Sequence, residues 1–258
     1  MPSYTCPMKH VRRRVAGLVV VVVSSLAGAC GADDDPSAAV ETTVSTRPIS
    51  TTAAPTTAGA TGEPLPGERV ELYPYEGARL AVVGVSTGDT LKVRAGPGVA
   101  FRVVLGLGPL ATNAVARGHN RSLGDAGFWS EITVGATTGW ANTSFLLQLG
   151  EVNDITATLF PTAADRPRSE SMLQLARTVG ELRTSGEPAS RIVIVEGPRL
   201  GDLGEVTVDV IGLGDDSVGG ERLKIFAVPT PGGGGITLRT VEATTLCSRG
   251  VTTERLCV

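Results

Sequence analysis

Aromatic residues are scarce, at 4% of the 258-residue chain, with two Trp, three Tyr and five Phe. Histidine is scarcer, at two residues, and cysteine stops at four. So few imidazoles and thiols leave little for a zinc centre or a His-dependent triad; neither a metal nor any cofactor is expected. Lysine is nearly absent, with three against twenty Arg. The formal net charge is −3, and the basic stripe that tracks nucleic acid is missing. The most apolar run, Val15–Ala29, has fifteen residues. As a helix it reaches about 22 Å, short of a hydrocarbon core of ~30 Å. What the chain has in quantity is Gly (33) and Pro (16). Together they are well above the usual ~12%, which suits short strands and turns and disfavours a helical bundle.

Residues 1–14 carry Lys9, Arg12, Arg13 and Arg14 and no acid. A basic stretch before a short apolar run reads as a secretory signal, here residues 1–29. It closes on Leu26-Ala27-Gly28-Ala29-Cys30. That string resembles the lipobox of bacterial lipoproteins, although Ala27 stands where Leu is commonest. The resemblance implies cleavage before Cys30, acylation of its thiol (palmitate or a similar chain) and anchorage on the extracytoplasmic face of the cell membrane. Ordinary signal cleavage after Ala29, freeing a secreted protein, is the alternative. The high Arg/Lys ratio and only four Asn are common in GC-rich genomes, actinobacteria among them.

Residues 30–68 form the next segment. Their main part, Pro36–Pro66, is built from Ser, Thr, Ala and Pro without aromatics. It cannot bury enough surface to offset ordering entropy of ~1–2 kcal/mol per residue, and is expected to be a disordered tether. A coil of ~30 residues spans roughly 30 Å.

Short apolar or alternating runs then follow: Ala78–Val85, Thr90–Arg94, Phe101–Leu107, Asn113–Arg117, Trp129–Val134 and Gly139–Asn142. Several strands at this spacing predict a small β barrel or sandwich over 69–150. Leu91, Val93, Arg94, Ala95, Gly96, Pro97, Phe101, Trp129, Gly139, Trp140 and the pair Phe145-Leu146 resemble, in order and spacing, the bacterial SH3-type domain. Two features depart from it: Lys92 stands where that family usually has Asn, and 118–127 is long. The resemblance implies an SH3-like barrel that binds a wall component, a peptidoglycan peptide or glycan. The binding groove would hold Phe101, Trp129 and Phe145, with Trp140 beside them and Arg94 as carboxylate partner. Alternatively, each Trp is a core or rim residue.

Beyond Asp154 the pattern changes. Met172, Leu175, Ala176, Val179 and Leu182 keep helical spacing. Asp165 or Ser169 would cap that helix and Ser185-Gly186 would end it. Strand-like runs follow at Ile192–Glu196, Glu205–Gly212, Arg222–Val228 and Ile236–Ala243. Val206, Val208 and Val210 alternate with Thr207 and Asp209, the sign of a half-buried strand. One helix and about four strands predict a separate α+β domain with an antiparallel sheet over 154–258. This part is similar to C-terminal modules of actinobacterial secreted lipoproteins of unassigned activity. Of the cysteines, Cys247 and Cys257 remain after processing and acylation, an even pair in an exported chain, and a disulfide is expected.

Enzyme signatures are weak. Gly84-Val85-Ser86-Thr87-Gly88 spells GxSxG, but that elbow requires a following helix, and Thr90–Arg94 reads as a strand. His119 is the one His outside the leader. Asp215-Asp216 lacks the alternating ligands of a calcium loop, and Pro231–Gly235 lacks the Lys of a phosphate loop. No catalytic residue is therefore nominated. The expectation is an exported, lipid-anchored, non-catalytic wall-binding protein. The alternative is an accessory lipoprotein whose C-terminal domain docks on another exported protein.

Overall fold

The computed structural model describes residues 64–187 and 189–258. The leader, Cys30 and the tether up to residue 63 lie outside the described residues. In chain order the strands and α-helices are β1 (Glu68–Val70), β2 (Arg79–Val82), β3 (Leu91–Arg94), β4 (Val103–Leu107), β5 (Ala114–Ser122), β6 (Phe128–Val134), β7 (Thr137–Asn142), β8 (Leu146–Asp154), α1 (Thr156–Leu159), β9 (Arg168–Ser169), α2 (Met172–Glu181), β10 (Arg191–Arg199), β11 (Gly204–Ile211), β12 (Val218–Pro229) and β13 (Ile236–Cys247). Every run expected to be a strand lies on one. β1, β8 and β9 were not expected.

Alternation explains the strands locally. In β3, Leu91 and Val93 are buried while Lys92 is exposed. These side chains join Leu80, Val82, Ile132 and Leu146 in one apolar core. A second core gathers Val206, Val208, Val210, Leu223 and Ile225 beneath Met172, Leu175, Ala176 and Val179 of α2. Burying each such side chain contributes about 1.5–3 kcal/mol.

The expected fold class, an SH3-like barrel followed by a separate α+β domain, is overturned. All thirteen strands join one open antiparallel sheet in the order β10-β11-β12-β13-β8-β2-β5-β6-β7-β3-β4, with β1 beside β5 and β9 beside β13. The cause is β8. Its first residues, Leu146 and Leu147, pair with Val82 and Ala81 of β2. Its later residues, Gln148 to Asp154, pair with Cys247 to Glu242 of β13. A strand thus runs where a boundary at 150–154 was expected, and its hydrogen bonds carry one sheet through both cores.

A buried ion pair joins the same halves. Asp209 of β11 stands opposite Arg222 of β12, with Nε and Nη2 of Arg222 at 2.7 and 2.9 Å from its carboxylate oxygens. Arg222 also donates to the carbonyl of Val82 at 2.8 Å, and Asp209 accepts from the backbone N–H of Gly84 at 2.8 Å. Asp209 and Thr207 are buried. β11 is therefore covered on both faces, and the half-buried pattern expected for it is corrected: its polar face meets the 82–84 segment, not water.

Helix α2 begins at Ser171, whose Oγ accepts from the backbone N–H of Gln174 at 3.3 Å. Neither Asp165 nor Ser169 is the cap. Leu182, expected on the apolar face, lies past the end of α2 and is 53% exposed. Gly180 costs up to ~1 kcal/mol in propensity, but a Cβ there would stand 3.0 Å from Ile192 Cδ1. The helix packs on β10 through that gap.

Cys247 and Cys257 form the expected disulfide, with Cα atoms 5.1 Å apart. It holds the C-terminal tail against β8, where Arg255 donates to the carbonyls of Gly150 and Leu149 at 3.0 and 3.1 Å. Among the described residues, no helix is long and apolar enough to cross a membrane.

Candidate functional site

One face of β6, β7 and β3, with Trp129 and Trp140 both buried in it, is set by register. Trp129 stands opposite Asn142, and Glu131 opposite Trp140; Trp140 in turn stands opposite Arg94. Directly opposed residues in antiparallel strands share a face. Trp129, Glu131, Trp140, Asn142 and Arg94 therefore share one. Gly139 permits this stacking: a Cβ there would lie 2.7 Å from the Arg94 carbonyl and 2.8 Å from Val93 Cγ1.

A groove of about 300 Å³ takes in part of this face; its lining includes Arg94, Trp129, Asn142, Phe145, Lys92, Val99, Ser86 and Asp89. Three of the five residues expected to bind ligand, Arg94, Trp129 and Phe145, thus meet in one place. Trp129 is 4% exposed, and its Nε1–H donates to the Ala126 carbonyl at 3.3 Å, so it forms a rigid wall. Phe145 carries the Arg191 guanidinium 5.8 Å from its ring centroid, a cation–π contact that fixes the ring. Asn142 is held by accepting from the Ser144 backbone N–H at 2.9 Å.

Arg94 donates from Nη1 to the Phe101 carbonyl at 2.7 Å. Among the described residues no carboxylate pairs with it. Lys92 contacts Asp89 at 3.4 Å and Thr90 Oγ1 at 2.6 Å. The Thr90 backbone N–H, and then Lys92, hold the Asp89 carboxyl below its usual range. Two cations against one carboxylate make the groove locally positive, with an apolar wall and a guanidinium at one end. That arrangement can seat a ligand carrying a carboxylate next to an apolar or ring surface.

The other two expected residues stand elsewhere. Phe101 lies against Gly96, leaving no room for a Cβ there, and reaches the groove only through its carbonyl. Trp140 lines a different depression of about 300 Å³ with Leu65, Arg69, His119, Asn120, Arg121 and Glu131. Val99 and Asn142 were missed as groove residues. Asn142 had a signal in its position two residues after Trp140, on the same face of a strand; Val99 had none.

The GxSxG string is a turn. Gly84 and Gly88 have φ of 63° and 83°, the Asp89 N–H bonds back to the Ser86 carbonyl at 3.0 Å, and β3, not a helix, follows. His119 Nδ1 is paired with Glu131 at 2.6 Å. Among the described residues no cluster of three His, Cys, Asp or Glu could hold a metal. Asp215 accepts from the backbone N–H groups of Ser217 and Val218, each at 2.8 Å, as a hairpin turn residue. No protein-family model, curated protein or solved structure matches the chain, so the site is read from its own chemistry.

Proposed function

We propose that the protein is exported, is anchored by an acylated Cys30 on the extracytoplasmic face of the membrane, and binds a cell-wall component, a peptidoglycan peptide or glycan, without catalysis. The observation that carries the binding reading is the meeting of Arg94, Trp129 and Phe145 in one positive, aromatic-walled groove. A guanidinium with no carboxylate partner among the described residues, beside an aromatic wall, suits the carboxylate and apolar surface of a wall peptide. The disulfide supports export, because such bonds persist in oxidising compartments. A membrane tether raises the effective concentration at the wall, so weak intrinsic affinity suffices.

The test is co-sedimentation of the purified full chain with purified peptidoglycan. Arg94→Ala removes the guanidinium that would hydrogen-bond the ligand carboxylate, ~1.5–3 kcal/mol, and is expected to weaken retention roughly tenfold or more; Phe145→Ala removes an aromatic contact of ~0.5–1.5 kcal/mol and is expected to weaken it roughly two- to tenfold. Circular dichroism checks that both variants keep their strands. Absence of retention by the unsubstituted chain overturns the reading. Mass spectrometry of the processed protein checks the acyl group.

A second reading has its own support. Leu200 and Leu203, at 77% and 39% exposed, sit on the β10–β11 connection, and Leu173, at 41%, lies on the first turn of α2. Gly204, next to Leu203, lies against Met172, next to Leu173: a Cβ on it would stand 2.9 Å from the Met172 sulfur. This apolar corner favours docking on another exported protein. Leu200→Ser would then abolish cross-linking to that partner while leaving wall retention unchanged.

A further inference from the structure

Register places a second cationic feature on the same face of the sheet. Arg121 of β5 stands opposite Trp129 of β6, and Arg69 of β1 stands opposite Arg121. Like charges directly opposed across a strand pair are destabilising. Among the described residues no carboxylate pairs with either one. Glu131, which lines the same depression, pairs instead with His119 at 2.6 Å. Arg121 is held in place by donating from Nη1 to the carbonyls of Leu65 and Gly67, at 2.9 and 2.8 Å. Both arginines line the depression of about 300 Å³ beside Trp140. This positive spot stands on a chain of net charge −3.

We infer that Arg69 and Arg121 form an oxyanion subsite, taking a phosphate or carboxylate group carried on an extended wall polymer. The planar guanidinium matches both groups. An anion between the two would convert their mutual repulsion into two attractive contacts. Three strand steps separate Arg121 from Arg94, and at ~4.8 Å per step the two sites lie on the order of 15 Å apart. A polymer with repeated anionic groups can therefore reach both from one face of the sheet. That both sites serve one ligand rests on the groove reading above; the anion subsite stands without it.

The experiment titrates the purified full chain by calorimetry with two probes of matched charge: a glycerol-phosphate oligomer and an oligogalacturonate. Arg69 is exposed on a short strand, so Arg69→Glu keeps the fold, which a thermal melt checks. Arg239→Glu, at an exposed site on β13, makes the same change in net charge. The expected result is binding of at least one probe, weakened at least tenfold by Arg69→Glu and less than twofold by Arg239→Glu. The probe that binds tells phosphate from carboxylate. Binding of neither probe, or equal weakening by both variants, overturns the subsite. Sedimentation on peptidoglycan separates this failure from that of the groove. Retention lost with Phe145→Ala but kept with Arg69→Glu leaves the groove and removes the shared ligand. Probe binding sensitive to Arg69, with retention indifferent to Phe145→Ala, leaves the anion subsite and removes the groove, and the shared ligand with it.

Discussion

Asp209 and Arg222 tie β11 and β12 to the Val82–Gly84 segment. Their charges are buried, hydrogen-bonded to one another, and tied to Val82 and Gly84. Removing one partner leaves the other charge uncompensated. Asp209→Ala is expected to destabilise by about 3–5 kcal/mol, whereas the double variant Asp209→Leu/Arg222→Met loses much less; urea unfolding of the three proteins measures both. The disulfide is the other residue-scale contributor. Closing its loop contributes roughly 3 kcal/mol in the chain-entropy model. Cys257→Ser should therefore lower the melting temperature by ~6–12 °C at about 2–4 °C per kcal/mol, read by calorimetry. Its two cysteines were legible from their number and from the reading of residues 1–29 as a secretory signal. Asp209 was not. In a strand alternating Val with polar residues, a buried carboxylate looks the same as a solvated one. Its covering partner, Gly84, is 125 residues away.

Elements were legible wherever period and turn chemistry agreed. Helix α2 follows from its i, i+3, i+4, i+7 apolar spacing, and β3 from alternation ending at Gly96-Pro97. The short β1 and β9 carry no such period and exist through pairing with β5 and β13. β8 was hidden because its inner half, Leu146 to Gly150, is covered while Glu151 to Asp154 is exposed; a half-and-half strand shows no single pattern. Close approaches between elements are testable. Gly139→Ala places a Cβ against the Arg94 carbonyl. It should destabilise by about 1–3 kcal/mol, as overpacking does, and should also weaken peptidoglycan retention by displacing Arg94; a denaturation midpoint and the sedimentation assay read the two effects. The β11–β12 turn is expected to be acid-sensitive. The N–H groups of Val218 and Ser217 lower the Asp215 pKa from 3.8. A carboxyl depressed in the folded state stabilises fully above its unfolded value, and loses that contribution as pH falls through the folded one. Protection of the amides of residues 212–219, taken relative to their intrinsic exchange rates at each pH, is therefore expected to fall below about pH 4, ahead of that of the central strands.

For the whole molecule, local signals located nearly every strand but did not reveal how the strands connect. Two runs of strands separated by an acidic, polar stretch near Glu151–Asp154 imply two domains by composition. Long-range pairing reverses that. Of the candidate site, Arg94, Trp129 and Phe145 were legible through spacing that resembles a known family. The arginine pair across β1 and β5 was not, because Arg69 and Arg121 are adjacent only in register. A continuous sheet and a buried clamp between its halves predict a single cooperative unfolding transition, with fluorescence from Trp129 and far-ultraviolet dichroism coinciding; two separated steps would contradict it. The course of β8 has a practical corollary. Severing the chain between residues 150 and 154 strips neighbouring strands of a partner and leaves raw hydrogen-bonding rims on both fragments. Such rims recruit one another, so each piece, made alone, should precipitate or fibrillise.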